Sequence, residues 1–480
     1  MKKALLLFFL TPLVCLAKQP NILFIAVDDL RPELGVYGAR AITPNIDKLA
    51  AKSLVFNRAY CNQAVCGASR TSLMSGLYPE KTGLRSFHVE GWEKKLAGTI
   101  KLNQHLKDNG YLTLGLGKIY HDTARHVDEE HWNQWFPLGS EEYFAEESLA
   151  LVASAGKLEK PLRGPATEAS PGPEDQHLDF QRATLASKIL AQLQSKSTDG
   201  PVSEMADKPF FLAVGFTKPH LPFVAPRKYW DLYDREDFNL PDNLGIPPGY
   251  PVSAANQDAG ELHAYGDIPS SSPKQFPDEL NRRLLHGYHA ATSFTDANIG
   301  RLLDSLEKNG FADNTVVVLW GDHGWKLGDH HSWCKHTNLE ADTRVPLIIH
   351  HPGMTSAVGS TDSLVELIDL YPTLSELAGL EIPDHVQGKS LVPILKDPSA
   401  TIRDSAYSSY PARVDNRNTI GHSIRTDHFR YTEWWAGNKP IQAVATNLTE
   451  DPGETTAIDD AEQLRKLSAM LKERVVDSRE

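Results

Sequence analysis

Two apolar runs, far apart in the chain, each end abruptly in acidic residues. Residues 21–27 read Asn-Ile-Leu-Phe-Ile-Ala-Val and lead directly into Asp28 and Asp29. Residues 315–320 lead through a glycine into Asp322 and its neighbour His323. Short unbroken apolar runs bounded by polar residues are typical of strands that are buried on both faces. The pattern therefore predicts a sheet that is covered by helices on each side.

Strand-like and helix-like patterns alternate along most of the 480 residues. Strand-like runs also occupy 54–56, 111–115, 209–216 and 345–350, and helical spacing occupies 44–50, 100–109, 178–193, 280–309 and 364–378. This alternation predicts an α/β fold with a large, mostly parallel sheet sandwiched by helices. Short strands within 422–435 and a terminal helix at 461–475 predict a smaller C-terminal α+β subdomain. We place the boundary between a main domain at 18–393 and this subdomain at 394–480.

The N-terminus has the pattern of an export signal. Lys2 and Lys3 precede an apolar run over residues 4–16, and Ala17 offers a small residue for cleavage. We predict that residues 1–17 are a signal peptide and that the protein is exported to a periplasmic or extracellular location, or to the lysosome in a eukaryote. An N-terminal anchor is the alternative, but the run is short and contains Pro12. Stable membrane insertion is not expected.

The charge of the chain limits its partners. The formal net charge is −13, which disfavours nucleic acid, and a polyanionic substrate would need a local basic pocket. After signal cleavage the cysteines are Cys61, Cys66 and Cys334, which are too few for a disulfide framework. Cys61 and Cys334 either pair or remain buried thiols. The irregular segment 241–277 is long enough to be a functional rim or disordered.

The sequence Cys-Gly-Ala-Ser-Arg at residues 66–70 places a thiol and a cation at the start of a predicted helix. We expect the helix to begin near Ser69, so that Cys66 lies just before the free N–H groups of its first turn. Arg70 adds a planar fork that binds oxyanions. The arrangement favours an anion site, and the alternative is a structural cysteine beside a capping serine.

Polar residues follow several predicted strands at their carboxyl ends, where ligands collect in open α/β sheets. They are Asp28, Asp29, Lys118, His121, Lys218, His220, Asp322 and His323. Polar residues also end strands where no site exists, but eight converging at one edge favour a site. Three carboxylates suit Ca2+ or Mg2+. His323 is a less usual ligand for such ions, and a supporting or core role is its alternative.

With these motifs in view, the chain resembles the sulfatase family. The Cys-x-Ala-x-Arg motif, the paired N-terminal aspartates and the downstream Asp-His all have counterparts there. Residues 117–121, 216–223, 333–338 and 423–434 resemble the iduronate-2-sulfatase-like branch. The resemblance implies an alkaline-phosphatase-like fold, with 18–393 as the sulfatase catalytic domain, and a sulfuric ester hydrolase activity.

The resemblance also implies the chemistry. Cys66 would be oxidised to formylglycine, whose hydrate attacks the sulfur with one hydroxyl and expels sulfate with the other. A bound Ca2+, or Mg2+, would be held by Asp28, Asp29, the modified Cys66, Asp322 and His323. The partner that modifies Cys66 would be a formylglycine-generating or an anaerobic sulfatase-maturating enzyme. Ala68, where proline is commoner, leaves that choice open.

Roles for the remaining residues follow from charge and from the matched motifs. Arg70 and Lys118 would hold the hydrate and neutralise the sulfate, and His121 would orient or deprotonate the hydrate. His220 and Lys335 would bind sulfate oxygens and protonate the leaving oxygen. We leave Lys218 out of this set as a solvated surface lysine.

The expected substrate is a sulfated oligosaccharide or polysaccharide. A 2-O-sulfated uronate is one candidate, and a marine or plant polysaccharide is another. Arg85, His88, Arg425 and Trp434 are candidate sugar contacts. Two alternative functions remain open from the sequence: a phosphodiester or phosphonate monoester hydrolase of the same superfamily, and a non-catalytic sulfated-glycan binder in which Cys66 stays a thiol.

Overall fold

The structure is a computed structural model that describes residues 19–87, 91–121, 128–137, 139, 143–155, 162–203, 208–257, 260–269, 276–354 and 358–480. The predicted signal peptide at 1–17 and the candidate sugar contact His88 lie outside these residues. Among the helices of the described ranges, none combines the length and the apolar character needed to cross a bilayer.

The strands of the described residues alternate with helices for most of the chain. The strands are β1 (Asn21–Val27), β2 (Leu54–Tyr60), β3 (Leu112–Gly117), β4 (Gln134–Phe136), β5 (Thr167–Ser170), β6 (Phe210–Phe216), β7 (Phe223–Pro226), β8 (Thr315–Gly321), β9 (Lys326–Leu327), β10 (Trp333–Cys334), β11 (Arg344–His350), β12 (Gly359–Thr361), β13 (Val365–Glu366), β14 (Ala406–Val414), β15 (Arg417–Arg425), β16 (Phe429–Ala436) and β17 (Lys439–Asn447). The helices are α1 (Pro44–Ala50), α2 (Cys66–Ser75), α3 (Pro79–Thr82), α4 (Trp92–Lys95), α5 (Leu102–Asp108), α6 (Glu146–Ala155), α7 (Leu178–Ser195), α8 (Arg227–Trp230), α9 (Asp278–Lys308), α10 (Glu340–Thr343), α11 (Leu370–Leu377), α12 (Val392–Lys396) and α13 (Ala461–Asp477).

One large sheet forms the centre of the molecule, with strand order β12-β2-β11-β8-β1-β6-β3-β4 and β13 beside β2. β1 runs parallel to both β6 and β8, and β3 runs parallel to β6 and β4. β11 runs antiparallel to its two neighbours, β2 and β8. The predicted α/β sheet is confirmed as mostly parallel and is mixed through β11.

The first apolar run is unbroken because both faces of β1 are buried. Ile22, Phe24 and Ala26 pack in one core with residues of α2, α5, α11 and α12. Leu23, Ile25 and Val27 pack in a second core with residues of α1, α7 and α9. Strand side chains alternate between faces, so a central strand of a sheet with two helical layers needs apolar residues at every position.

The C-terminal part contains the antiparallel sheet β14-β15-β16-β17, on which α13 packs through Leu467, Leu471 and Val475. This sheet is larger than the short strands predicted within 422–435. The placement of the domain boundary after residue 393 stays a prediction, and it falls within α12, whose Ile394 and Leu395 join the main core.

The predicted helix over 364–378 is wrong in its first half. Residues 365–366 form β13, Leu367–Asp369 form a 3-10 turn, and α11 begins only at Leu370. A capping box starts the 3-10 turn after β13, since the Glu366 N–H donates to Asp369 Oδ2 at 2.8 Å and the Glu366 side chain accepts from the backbone of Asp369 in return. Apolar spacing alone does not reveal this reciprocal cap.

Candidate active site

The carboxyl ends of four neighbouring strands deliver the predicted polar residues to one edge of the sheet. β1 lies between β8 and β6, and β3 lies beyond β6, so residues far apart in sequence become neighbours. The structure brings together Asp28 and Asp29 after β1, Asp322 and His323 after β8, Lys118 and His121 after β3, His220 after β6, Cys66 and Arg70 on α2, and Lys335 after β10. This convergence follows from parallel strand order.

Cys66 is the first residue of α2, and Val65 is the N-cap. The helix thus begins three residues earlier than predicted, and Cys66 belongs to its first turn. The next residue must be glycine, because a Cβ on Gly67 would lie 2.2 Å from the carbonyl oxygen of Phe87. The motif is therefore shaped by close backbone packing as well as by its polar groups.

The Cys66 thiol lies in a buried ring of polar atoms. Its Sγ is 3.1 Å from His323 Nε2, 3.6 Å from Lys335 Nζ, and 3.9 Å from both Lys118 Nζ and Asp29 Oδ1. Burial, reinforced by nearby Asp28, raises the pKa of the thiol well above its ordinary value. An unmodified Cys66 is therefore protonated and a poor nucleophile.

Arg70 ties two of the carboxylates together. Its Nε donates to Asp322 Oδ2 at 2.8 Å and its terminal nitrogens donate to Asp28 Oδ1 at 3.1 Å and to the carbonyl oxygens of Lys118 and Ile119. The side chain is fully buried. All three guanidinium nitrogens are thus bound to the protein, and Arg70 positions Asp28 and Asp322. The expectation that it also holds the hydrate and neutralises the sulfate stays a prediction.

Asp29 adopts a left-handed backbone conformation with φ of 58°. Its N–H donates to Asp322 Oδ1 at 3.0 Å, and its carbonyl oxygen accepts from the Tyr288 hydroxyl at 2.9 Å. Oδ1 accepts from Lys335 Nζ at 2.7 Å, whereas Oδ2 is buried without a hydrogen-bond partner among the described residues. Such strained, incompletely bonded groups cluster at functional sites.

The two adjacent aspartates differ in their preferred protonation. Burial alone would raise the pKa of Asp28, but Lys118, which donates to Oδ2, together with His220 and Arg70, holds this pKa well below its usual range. Burial raises the pKa of Asp29 well above its usual range, and Lys335 offsets this only in part. Asp29 is thus a carboxyl group that needs a further cation to ionise.

The site histidines are held as neutral imidazoles. His323 Nδ1–H donates to the Gly324 carbonyl at 2.9 Å, so its Nε2 lone pair faces the cluster, 3.4 Å from Asp29 Oδ1. His220 Nδ1–H donates to the Leu221 carbonyl at 2.6 Å, and its Nε2 faces the site. Burial and Lys118 lower the pKa of His220 to about 3 and that of His121 to about 2.

Two features differ from the sequence-based interpretation. Lys218 is buried rather than solvated, and its Nζ donates to the Pro222 carbonyl at 2.6 Å, which places it in the loop that carries His220. Glu261 was not predicted as a site residue, yet its carboxylate lies 3.1 Å from Lys335 Nζ and 3.4 Å from His220 Nε2. The length of the irregular segment 241–277 was the only signal for it.

The donor atoms fit a divalent cation. Ligand atoms of Asp28, Cys66, Asp322 and His323 all lie within 4.8 Å of one another, and a second group joins Asp28, Asp29, Cys66 and His220. The cluster holds four carboxylates and three permanent cations, so its net charge is −1 when all are ionised and would become +1 with a divalent ion. The carboxylates are those of Asp28, Asp29, Asp322 and Glu261, and the cations are Arg70, Lys118 and Lys335. The bare Asp29 Oδ2 supplies a free oxygen ligand.

Comparison with known families and sequences gives consistent matches. A family model described as Sulfatase matches residues 20–380, and one described as N-sulphoglucosamine sulphohydrolase, C-terminal, matches residues 328–480. The mouse protein iduronate 2-sulfatase is 32% identical over 92% of this chain and 89% of its own length. A Formosa agariphila protein named sulfatase is 29% identical over 94% of this chain and 86% of its own length.

Solved structures share the fold at low identity. BT4656, solved in complex with its substrate D-glucosamine-2-N,6-O-disulfate, has a TM-score of 0.74 with 22% identity and covers 96% of this chain and 98% of its own. The phosphonate monoester hydrolase of Agrobacterium radiobacter has a TM-score of 0.72 with 21% identity, over 96% and 95% of the two chains. The predicted alkaline-phosphatase-like fold is confirmed, and fold alone does not separate the two activities.

Proposed function

This chain belongs to the sulfatase family, in its iduronate-2-sulfatase-like branch, and we propose that it hydrolyses a sulfate ester of a sulfated carbohydrate with a nucleophile made from Cys66. It is a sulfuric ester hydrolase by family. The observation that carries the proposal is the place of Cys66, at the start of α2 with two lysine ammonium groups within 3.9 Å of its sulfur. That place suits an anionic reaction centre.

We propose that Cys66 is converted to formylglycine by a maturation enzyme. The buried thiol is protonated, and its sulfate adduct would have no second hydroxyl with which to collapse. The hydrated aldehyde supplies one hydroxyl for attack on sulfur and another for expulsion of sulfate. The partners of the site would then be this maturation enzyme and the sulfated substrate, and no nucleic acid.

Asp28, Asp29, Asp322 and His323 would hold the divalent cation, together with the modified residue 66. Carboxylate oxygens favour Ca2+, with Mg2+ as the alternative, and the ion supplies Lewis acidity next to the nucleophile. Arg70 keeps Asp28 and Asp322 aligned, and the Gly324 carbonyl keeps the His323 ring oriented.

The lysines and histidines would handle the sulfate and the leaving group. Lys118 and Lys335, which bind Asp28 and Asp29, face the Cys66 sulfur and would neutralise sulfate oxygens. Lys335 would deliver a proton to the leaving oxygen, and so would His220 once a bound sulfate raises its pKa and its Nε2 takes up a proton. His121 would orient or deprotonate the nucleophile. Glu261 holds Lys335 and His220 together at the site.

A glycan substrate is favoured by the relatives. Iduronate 2-sulfatase is the name of the mouse relative, and BT4656 was solved with a sulfated glucosamine as its substrate. We propose a sulfated oligosaccharide or polysaccharide, with a 2-O-sulfated uronate as one candidate. The predicted signal peptide at residues 1–17 would direct the enzyme to an exported location, where such glycans occur.

One preparation of the protein can test this function against its nearest rival. We expect turnover of an aryl sulfate to exceed that of an aryl phosphodiester, and the Cys66 peptide to weigh about 18 Da less than with cysteine, because CHO replaces CH2SH. A large preference for the phosphodiester would favour a hydrolase like the Agrobacterium neighbour. A fully unmodified thiol after native expression, without turnover, would favour a glycan binder.

A further inference from the structure

A pocket of about 690 Å3 opens next to the candidate active site, between the β14–β15 hairpin and the segment that precedes residue 257. Its wall includes Asn256, His336, Tyr410, Arg413, Asn418 and Trp435. It contains none of the residues that were assigned to the reaction. We propose that it binds a second sugar unit of the substrate, one that carries a carboxylate or a sulfate, and this rests on the proposed function.

The pocket is joined to the reaction centre through one backbone segment. His336 directly follows Lys335, whose Nζ lies 3.6 Å from the Cys66 sulfur. Asn256 Nδ2 donates to the Lys335 carbonyl at 2.8 Å. His336 also lies 4.0 Å from Glu261, the carboxylate that binds Lys335. A sugar in the pocket and a sulfate beside Cys66 would therefore both contact residues 335–336, as two units of one substrate can.

The pocket has the composition of a sugar subsite. His336 has a left-handed backbone conformation, with φ of 91°. The centroid of its ring lies 5.8 Å from that of Tyr410, with the ring planes inclined by 37°, so that each ring offers a flat, largely apolar face. Asn256 and Asn418 supply amides that both donate and accept hydrogen bonds. Flat apolar surface combined with amide groups fits a pyranose ring, which has C–H faces and equatorial hydroxyls.

The charge of the pocket points to an acidic sugar. Among the described residues that line it, none is acidic, and Arg413 carries the only permanent charge. Burial, with Lys335 nearby, lowers the pKa of His336 to about 3, so this ring is neutral at pH 7. Arg413 forms no ion pair with a described residue. Arg413 is exposed to solvent at the pocket, and no carboxylate of the lining offsets it. In a protein with formal charge −13 it offers a local attraction to an anion that the rest of the surface repels.

The hairpin geometry provides a matched control. Arg413 pairs with Asn418 across the β14–β15 ladder, so both side chains lie on the same face. Arg417 pairs with Val414, one position further toward the turn, and does not line the pocket. Arg413→Met and Arg417→Met remove the same charge, one residue pair apart, from one hairpin, and only Arg413 lines the pocket.

The test compares three substrates at matched pH and ionic strength. They are an aryl sulfate, a sulfated disaccharide whose neighbouring unit is neutral, and sulfated disaccharides whose neighbouring unit is a uronate or a sulfated hexosamine. We expect Arg413→Met to raise KM for an acidic-neighbour substrate roughly tenfold to a hundredfold. The KM for the other two substrates should change less than about twofold, because neither carries an anionic group for Arg413 to bind. Arg417→Met should match wild type throughout.

The two acidic substrates show whether the pocket prefers a carboxylate or a sulfate. The substrate whose KM rises more in Arg413→Met carries the preferred group. Three results would overturn the proposal: an equal rise in KM for the neutral and the acidic substrates, no rise in KM for any substrate, or the same rise in KM in Arg417→Met. If Arg413→Met does not fold, Asn418→Asp places a carboxylate directly opposite Arg413 and should produce the same selective loss. Retained melting temperature confirms that either variant is folded.

A binding measurement separates this proposal from the proposed function. Calorimetry with an unsulfated disaccharide that contains a uronate should show binding to wild type and to Arg417→Met, and at least tenfold weaker binding to Arg413→Met. If no sulfate ester is turned over but this binding depends on Arg413, the proposed function fails and the pocket stands. If turnover is present and neither KM nor binding depends on Arg413, the pocket proposal fails alone.

Discussion

Two of the buried clusters of charged residues in the described part of the chain differ in how completely their carboxylates are bonded. The first is the catalytic cluster around Asp28, Asp29 and Asp322. The second, which we call the anchoring cluster, joins the start of α11 to α13 through Tyr78, Glu366, Asp369, Arg403 and Arg474. In both, carboxylates are fully buried beside arginine or lysine.

Every carboxylate oxygen of the anchoring cluster has a donor. Glu366 accepts from Arg474, the Tyr407 N–H, Asn62 and the Tyr78 hydroxyl. Asp369 accepts from Arg403 and from the N–H groups of Lys389 and Glu366. By contrast, Asp29 Oδ2 has no partner among the described residues. A cluster whose carboxylate oxygens all have donors stabilises the fold, whereas a buried carboxylate oxygen without a donor leaves capacity for a ligand.

Asp29→Asn tests the catalytic side of this comparison and should give the largest effect. Loss of the carboxylate should lower turnover of an aryl sulfate by roughly a thousandfold or more, because the divalent cation loses a ligand and Lys335 loses its anionic hydrogen-bond acceptor. The free energy of unfolding without added divalent ions should hold or rise, because a neutral amide replaces a carboxyl group whose ionisation is opposed by burial. Steady-state kinetics and calorimetry, each with a chelator and with excess Ca2+, measure both quantities.

The metal dependence gives a control for Asp29→Asn. Wild type should melt at a lower temperature after chelation and recover with Ca2+, since a ligand that binds only the folded state stabilises it. The melting temperature of Asp29→Asn should change much less on chelation or on addition of Ca2+. A variant that unfolds readily and keeps normal turnover per folded molecule would show that Asp29 is a structural residue.

Glu366→Gln tests the anchoring cluster and should show the opposite pattern. Removing this carboxylate leaves Arg403 and Arg474 buried without their shared partner, which should cost about 3 to 5 kcal/mol in the free energy of unfolding. Turnover per folded molecule should change less than about twofold. Urea unfolding and kinetics normalised to folded protein measure this. The control is Glu462→Gln, an exposed partner of Lys466, for which about 0.5 kcal/mol or less is expected.

The comparison also shows what the sequence could and could not reveal. The buried strands and the polar residues at their ends were predictable, because side-chain alternation and parallel strand order are local and general rules. Asp28, Asp29, Asp322 and His323 were located in this way, and the structure places them together. Their roles as ligands remain a proposal.

Residues that depend on tertiary packing were not predictable. Arg70 was expected to hold the hydrate and neutralise the sulfate, and only the fold shows that it also binds Asp28, Asp322 and two carbonyl oxygens. Glu261 follows no strand and matches no motif, so nothing local marks it. The two outer strands β14 and β17 carry proline and charged residues, which obscure the alternation that identifies a strand.

His220→Gln sharpens the comparison within the catalytic cluster, with an intermediate effect. If His220 helps to protonate the leaving oxygen, the loss should be roughly a hundredfold for a sugar sulfate, whose alkoxide leaves poorly, and only a few-fold for a nitrophenyl sulfate. A merely structural role would slow both substrates equally. The matched control is His177→Gln, a buried histidine that packs on Phe144 and Phe294 outside the cluster, for which the ratio of the two rates should not change.

Glu454 tests whether the buried carboxylate at the junction of the C-terminal sheet with α10 is as fully compensated as those of the anchoring cluster. The expected change in the free energy of unfolding is the smallest of these effects. Burial raises the pKa of Glu454 to about 7, against which Arg430 acts only in part, while nearby Glu340 adds to the rise. Between the unfolded pKa near 4.5 and this value, the folded protein keeps a proton that the unfolded chain has released. Stability must therefore fall as the pH rises through that window.

Glu454→Gln removes this titration while keeping the shape of the side chain. Relative to wild type, the variant should gain roughly 2 kcal/mol of stability between pH 5 and pH 8, because only wild type must bury an added negative charge in that interval. Urea unfolding of both proteins at the two pH values isolates the difference from all other titrating groups, which the two proteins share. A constant difference across pH would mean that Arg430 already keeps Glu454 ionised at pH 5 and that this junction is as fully compensated as the anchoring cluster.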